Sequence, residues 1–111
     1  MKTIILSVLL FIITCKLYSQ KVYSVNHDYQ ADVKVFVTKN DYQADLLVYK
    51  VKHDYQAKEN KGLWFFTKNN YQAQKKVYFT KYDYQADLKI YFVDHDYQAR
   101  WKNNEKKHLL F

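Results

Sequence analysis

Hydrophobic and polar residues alternate in short stretches that recur along the chain. In one stretch every second position from Tyr84 to Phe92 is apolar, so an extended segment would place these side chains on one face. The opposite face is also apolar toward its end, at Tyr91 and Val93. A helix is disfavoured because β-branched and aromatic residues dominate the second half of each stretch. The pattern predicts short strands, buried on one side along their length and on both sides near their ends.

The stretches belong to an internal repeat that is marked by the triplet Tyr-Gln-Ala. Six copies occur, and their starts are 13, 13, 16, 13 and 13 residues apart. The sole glycine, Gly62, lies in the long interval, and a shift of 42 residues superposes Val35 on Val77 and Leu46 on Leu88. We therefore predict a mostly β fold with six strand–turn repeats of about 13 residues in two pseudo-symmetric halves. The triplets begin at Tyr29, Tyr42, Tyr55, Tyr71, Tyr84 and Tyr97.

Polar residues before each triplet predict turns. An Asp or Asn precedes every triplet tyrosine, and its side chain is expected to accept a backbone N–H and close the turn. His or Asn stands one position earlier in five copies, which favours positive φ there, whereas Tyr82 does not fit. The recurring alanine predicts a close approach of another backbone segment. The recurring glutamine is expected to bond to backbone groups, with simple exposure as the alternative.

The N-terminus has the features of a secretory signal peptide. Met1-Lys2 is positively charged, and the apolar stretch from Ile4 to Thr14 is too short to span a bilayer as a helix. We predict a signal peptide at 1–19, a β-repeat domain at 20–101 and a polar C-terminal tail at 102–111, whose last three residues either pack back or fray. The product would be secreted or periplasmic. An uncleaved anchor is the alternative, and Thr14 makes a poor lipobox for lipidation of Cys15.

Charge and cysteine content restrict the function further. The net charge is +7, and loss of Lys2 and Lys16 with the leader lowers it by two. The lysines are dispersed among acidic residues, which indicates a solvated surface rather than a nucleic-acid site. Cys15 is the only cysteine, so the predicted mature chain has no disulfide. It also has no further apolar run of spanning length, so no stable membrane insertion is expected.

Catalytic and metal-binding residues are not evident. His27, His53 and His95 offer imidazole ligands, but Asn fills the same place in two other copies, which disfavours a metal site. Ser24 is the only serine of the predicted mature chain, and the chain has no glycine-rich phosphate loop. The turn carboxylates recur in nearly every copy, whereas an active site usually needs unique residues. We expect no enzyme, no cofactor and no metal.

Aromatic residues are the remaining candidates for binding. Trp64, Trp101 and the tyrosine set offer ring faces for a glycan or a peptide. At this spacing an aromatic stripe more often forms the core, and that interpretation is favoured here.

The repeat resembles the septoil knot domain, a small bacterial family named for a backbone that ties a seven-crossing torus knot. The resemblance rests on Lys-x-Asp before the triplet and Val/Ile-Tyr/Phe after it, and covers about 22–101. It implies a deeply knotted, β-rich monomer. The chain departs from the pattern by carrying Lys58, Gln74 and Arg100 where other copies have Asp after Ala.

The expected function is that of an exported, non-catalytic domain with a structural or binding role at the cell envelope, and its partner is unknown. The alternatives are a glycan- or peptide-binding module, a degradation-resistant inhibitor-like factor, and an unrecognised hydrolase.

Overall fold

The structure is a computed structural model that describes residues 19–111, so the predicted leader and Cys15 lie outside the described residues. Seven strands alternate with short 3₁₀ turns, as the repeat predicts. The strands are β1 (Lys21–Ser24), β2 (Val33–Val37), β3 (Leu46–Lys50), β4 (Leu63–Phe66), β5 (Lys75–Phe79), β6 (Leu88–Phe92) and β7 (Arg100–Trp101). The turns are Asp28–Gln30, Asp41–Gln43, Asp54–Gln56, Asn70–Gln72, Asp83–Gln85 and Asp96–Gln98, and a longer 3₁₀ helix covers Asn104–Leu110.

Six parallel strands close into a barrel. Their order is β4-β1-β5-β2-β6-β3, and β3 pairs in turn with β4, while the short β7 runs antiparallel to β3. Every pairing between these strands joins one from the first half (β1–β3) to one from the second half (β4–β7). The two halves are therefore interleaved rather than placed side by side.

Short connections make this interleaving possible. Four of them have only eight residues, for example 25–32 between β1 and β2, whereas parallel strands usually need a dozen or more. Eight extended residues reach roughly 26 Å, enough to return along a five-residue strand of about 17 Å. Each such connection crosses the strand that lies between its two ends: the turn Asp28–Gln30 packs on β5 and the turn Asp41–Gln43 packs on β6.

Four of the triplet alanines lie along these crossing connections, whereas Ala57 and Ala99 belong to the other two connections. Ala44 and Ala57 are buried, and the other four are half-buried. This burial agrees with the close approach of another chain segment predicted from the sequence.

The core fills the inside of the barrel. Each of the six parallel strands contributes a fully buried residue to it, namely Val22, Val35, Val48, Trp64, Val77 and Ile90. Three phenylalanines, Phe66, Phe79 and Phe92, cover the end at which the strands terminate, with Lys50 Nζ 4.4 Å from the Phe92 ring centroid. On the outer face, residues such as Tyr49 and Tyr91 are half-buried beneath the connections, so the prediction of two apolar faces near the strand ends holds.

The C-terminal segment closes the opposite end. Leu110 is buried in the core cluster, and its carbonyl oxygen accepts a hydrogen bond from Gln20 Nε2 at 3.2 Å. Of the two possibilities left open by the sequence, the segment packs back onto the domain.

Candidate binding surface

The triplet tyrosines project into solvent. All six are between 66% and 79% exposed, which makes them the largest group of exposed aromatic side chains among residues 19–111. The sequence prediction that placed Tyr84, and by the repeat its counterparts such as Tyr42, on a buried strand face is wrong. Each tyrosine belongs to the 3₁₀ turn that precedes the next strand, where the alternation of a strand does not apply. In four copies the strand starts four residues after the tyrosine, for example at Leu46 after Tyr42.

A backbone hydrogen bond closes each of the six turns. The alanine N–H donates to the carbonyl oxygen three residues earlier, as Ala44 does to Asp41 at 3.2 Å. The carboxylate of Asp41 accepts no hydrogen bond from the described residues, which corrects the predicted capping role of this position. The residue before it, for example Asn40 with φ −130°, is extended, so the prediction of positive φ is wrong there as well. Positive φ occurs instead at Glu59 and Gly62 in the long connection.

Four of the exposed tyrosines are held by a stacked neighbour. The residue two positions earlier lies parallel to the tyrosine, with ring centroids 5.2–5.5 Å apart. Stacking orients a ring that has few other contacts, so these tyrosines present a fixed face to solvent. The pairs are His27–Tyr29, His53–Tyr55, Tyr82–Tyr84 and His95–Tyr97.

The triplet glutamines have a structural role in part of the copies. Gln56 and Gln98 each accept, through Oε1, the backbone N–H of the histidine three residues earlier, at 3.0 and 3.1 Å. Gln72 Oε1 accepts the hydroxyl of Thr67 at 3.0 Å. The predicted backbone bond is thus present in two copies.

Shallow grooves separate neighbouring turns around the barrel. We name three of them by one basic residue that lines each: the Arg100 groove (about 450 Å³), the Lys58 groove (about 470 Å³) and the Lys76 groove (about 330 Å³). Each combines a glutamine of one turn with the first residue of the next turn around the barrel, and a tyrosine from the outer face of a strand. These residues are Gln98, Asp41 and Tyr91 in the Arg100 groove; Gln56, Asp96 and Tyr49 in the Lys58 groove; and Gln30, Asn70 and Tyr23 in the Lys76 groove.

The tryptophans do not belong to this surface as predicted. Trp64 is fully buried in the core, so its proposed role in a binding platform is wrong. Trp101 is half-buried and donates its Nε1–H to the carbonyl oxygen of Asn60 at 2.9 Å. For these two residues the core interpretation of the aromatic pattern is correct, whereas for the turn tyrosines it is wrong.

The three histidines lie in three separate turns. His27, His53 and His95 are exposed, and each stacks on a tyrosine of its own turn. Residues 19–111 contain no group of three or more His, Cys, Asp or Glu side chains placed to hold a metal ion. Ser24 is exposed at the end of β1.

Among residues 19–111, no helix has the length and apolar character needed to cross a membrane.

Comparison with known proteins identifies one family. The family model described as the 7(1) septoil knot domain matches residues 19–102, which is most of the chain. Searches of curated proteins and of solved structures gave no match.

Proposed function

The chain belongs to the septoil knot domain family, and from this fold we propose that it is an exported, non-catalytic binding module of the cell envelope or the extracellular space. Its ligand surface is the ring of exposed turn tyrosines. The observation that carries the proposal is the exposure of all six tyrosines on one repeated turn. If the turn tyrosines served stability alone, their rings would be buried, because burial of each ring would remove a large apolar area from water.

Export is supported by the N-terminal sequence and by the cysteine content. Met1-Lys2 followed by the apolar residues 4–14 fits a signal peptide, and the residues after Cys15 contain no thiol that an oxidising compartment would alter. N-terminal sequencing of the protein recovered from outside the cytoplasm tests this part. A start at Gln20 supports cleavage after Ser19, and a start at Met1 contradicts it.

A non-catalytic role is supported by the repetition of the polar groups. The turn carboxylates Asp28, Asp41, Asp54, Asp83 and Asp96 occupy equivalent, exposed positions in separate turns. General acid–base catalysis needs two groups in different environments, so that one is protonated and the other ionised. Equivalent exposed carboxylates do not supply that difference.

Repetition instead suits a repetitive ligand. Six similar ring faces on a rigid barrel bind a polymer more tightly than a single face does, because each further contact is intramolecular. Envelope glycans and extended peptides both have such repeats.

The experiment is a pull-down of the mature protein against envelope fractions and insoluble glycans. A variant with all six turn tyrosines changed to alanine should lose retention. The matched control changes Lys39, Lys68 and Lys81, which are exposed next to the turns, to alanine and should retain binding. Circular dichroism checks that both variants are folded. Full retention by the folded tyrosine variant would refute the proposed surface.

A further inference from the structure

The repeat is broken at two positions that lie in the same groove. Asp94 stands three residues before Tyr97, where the other copies have four lysines and one asparagine: Asn26, Lys39, Lys52, Lys68 and Lys81. Arg100 stands three residues after Tyr97, where no other copy has arginine. Both line the Arg100 groove. Of the three grooves, this is the one that combines two carboxylates with an arginine.

A third charged group reaches the groove from the first half of the chain. Asp41 lies opposite Gln98 and Arg100, although it is more than fifty residues away in sequence. The carboxylates of Asp41 and Asp94 and the guanidinium of Arg100 form no ion pair within residues 19–111. The Arg100 side chain also makes no hydrogen bond within these residues. At the equivalent position of the first repeat, by contrast, Asp32 accepts the backbone N–H of Lys76 through Oδ2. The groove therefore presents both acceptors and donors that the fold does not use.

The walls of the groove are aromatic. Tyr97 is 78% exposed and is held by His95, with ring centroids 5.2 Å apart, and Tyr91 lies on the outer face of β6. The volume of about 450 Å³ lies within the range of small-molecule sites. A flat ring beside carboxylate, amide and guanidinium groups can bind a ligand that has an apolar face and several hydroxyl groups along its edge.

We propose that the Arg100 groove is the selective subsite of the tyrosine ring and that it binds a neutral pyranose unit of a glycan. This inference rests on the proposed function, since it names the ligand of the same surface. Asp41, Asp94 and Gln98 accept hydrogen bonds from sugar hydroxyls, Arg100 donates to two adjacent oxygens, and Tyr97 packs against the ring. The two carboxylates disfavour an acidic sugar. A neutral unit offers hydroxyl groups to the carboxylates and oxygens to Arg100 alike, whereas an ammonium group can only donate and gives the guanidinium no acceptor.

The test is an NMR titration of the full mature chain with four probes. These are cellotetraose (neutral), tetragalacturonate (acidic), a glucosamine tetramer (cationic) and a tetralysine peptide. We expect cellotetraose to shift the amide signals of Gln98, Arg100 and Asp94, with weak or no shifts from the other three. Preference for tetragalacturonate, the glucosamine tetramer or tetralysine would overturn the assignment of a neutral sugar.

Three variants and one control place the site. Tyr97→Ala and Asp94→Lys, which restores the residue common at this position, should each weaken cellotetraose binding by roughly tenfold or more. Tyr71→Ala removes an equally exposed tyrosine outside the Arg100 groove and should weaken cellotetraose binding less than Tyr97→Ala does. Lys81→Ala, at an exposed position that does not line the groove, is the control and should leave the affinity within about twofold. If Tyr71→Ala weakens binding as much as Tyr97→Ala, the six turn tyrosines bind glycan without a selective groove. In that case this inference fails and the proposed function stands. A different outcome is that the wild-type chain binds none of the four probes while the variant lacking all six turn tyrosines is still not retained on envelope fractions. In that case the groove assignment fails and the proposed function stands.

Discussion

Asp32 and Lys76 are joined by two hydrogen bonds at the point where the first connection crosses β5. The Asp32 N–H donates to the Lys76 carbonyl at 2.8 Å, and the Asp32 Oδ2 accepts the Lys76 N–H at 2.9 Å. The same pair of bonds occurs at three further crossings, in which Gln74 replaces the aspartate once. These pairs are Asp45–Lys89, Gln74–Lys21 and Asp87–Lys34.

The departures from aspartate noted in the sequence now have a physical explanation. Lys58 belongs to the connection between β3 and β4, which are adjacent strands, so no strand is crossed. Arg100 begins β7, which runs antiparallel to β3. Only Gln74 lies at a crossing that leads to a parallel strand, and its amide oxygen accepts the Lys21 N–H at 3.2 Å in the same manner as a carboxylate.

The first prediction concerns this crossing bond. Asp32→Ala should lower the free energy of unfolding by about 1–2 kcal/mol, because the Lys76 N–H loses a charged acceptor. Asp32→Asn keeps an acceptor oxygen and should cost less. Asp28→Ala, in the adjacent turn, is the matched control and should change stability by less than about 0.5 kcal/mol. Urea denaturation measures all three, and equal effects of the Asp28 and Asp32 variants would contradict the crossing role.

The second prediction separates the exposed tyrosines from the core. Tyr42→Ala should change the free energy of unfolding by less than about 0.5 kcal/mol, since its ring is 72% exposed. Val48→Ala, at a fully buried position, should cost about 2 kcal/mol. Thermal denaturation followed by circular dichroism compares them. A large loss for Tyr42→Ala would mean that the ring acts in the fold rather than in binding.

The third prediction concerns Gly62. Its φ is +96°, and a Cβ added there would collide with the carbonyl oxygen of Leu47 and approach Ala99. Gly62→Ala should therefore destabilise the fold by at least about 2 kcal/mol. Glu59→Gly is a useful comparison, because Glu59 also has positive φ, and this change should be neutral or slightly stabilising. A Gly62→Ala variant as stable as the wild type would be inconsistent with this backbone conformation.

The fourth prediction concerns the C-terminal closure of the barrel. Leu110→Ala should cost about 2–4 kcal/mol, because it leaves a cavity in the core cluster. Glu105→Ala, on the exposed side of the same helix, serves as the control and should have little effect. Hydrogen exchange gives a second measurement: in Leu110→Ala the amide of Gln20, bonded to Ala57, should lose protection. Unchanged protection and stability would show that the tail is dispensable.

The fifth prediction concerns kinetic stability. Because the halves are interleaved, we expect unfolding in denaturant to be slow, with hours rather than seconds for the native half-life. A protease site inserted beside Lys61, in the long connection, allows the folded chain to be cut between the halves. The cut protein should unfold faster than the uncut insertion variant. Similar unfolding rates for the two would show that chain continuity between the halves does not retard unfolding.

The sequence predicted the repeat unit, the strand stretches and the family, because alternation and spacing are local signals. The order of the strands was not predictable from them, since Val33 pairs with Val77 through a contact that no nearby residue specifies. The error on Tyr84 arose because the alternation was extended across a turn. A His or Tyr two positions before the triplet tyrosine could have indicated the exposed, stacked rings, since that spacing allows the two rings to stack across the start of a 3₁₀ turn.

The Arg100 groove was less accessible to sequence reasoning. Asp94 and Arg100 are visible as exceptions within the repeat, but their proximity to Asp41 depends on the interleaved strand order. Comparison of the copies within one chain could have singled out the two exceptions without showing what they face.

The alternation of the two halves also determines when the protein can begin to fold. No strand of the first half has a neighbour from its own half, so the newly made N-terminal portion cannot assemble any part of its sheet. Pairing has to wait until β4 and the strands after it have been synthesised. A chain with this architecture cannot form its native sheet until more than half of it has been made, and such a delay is compatible with the proposed export, since a translocation channel admits a chain that has not yet folded.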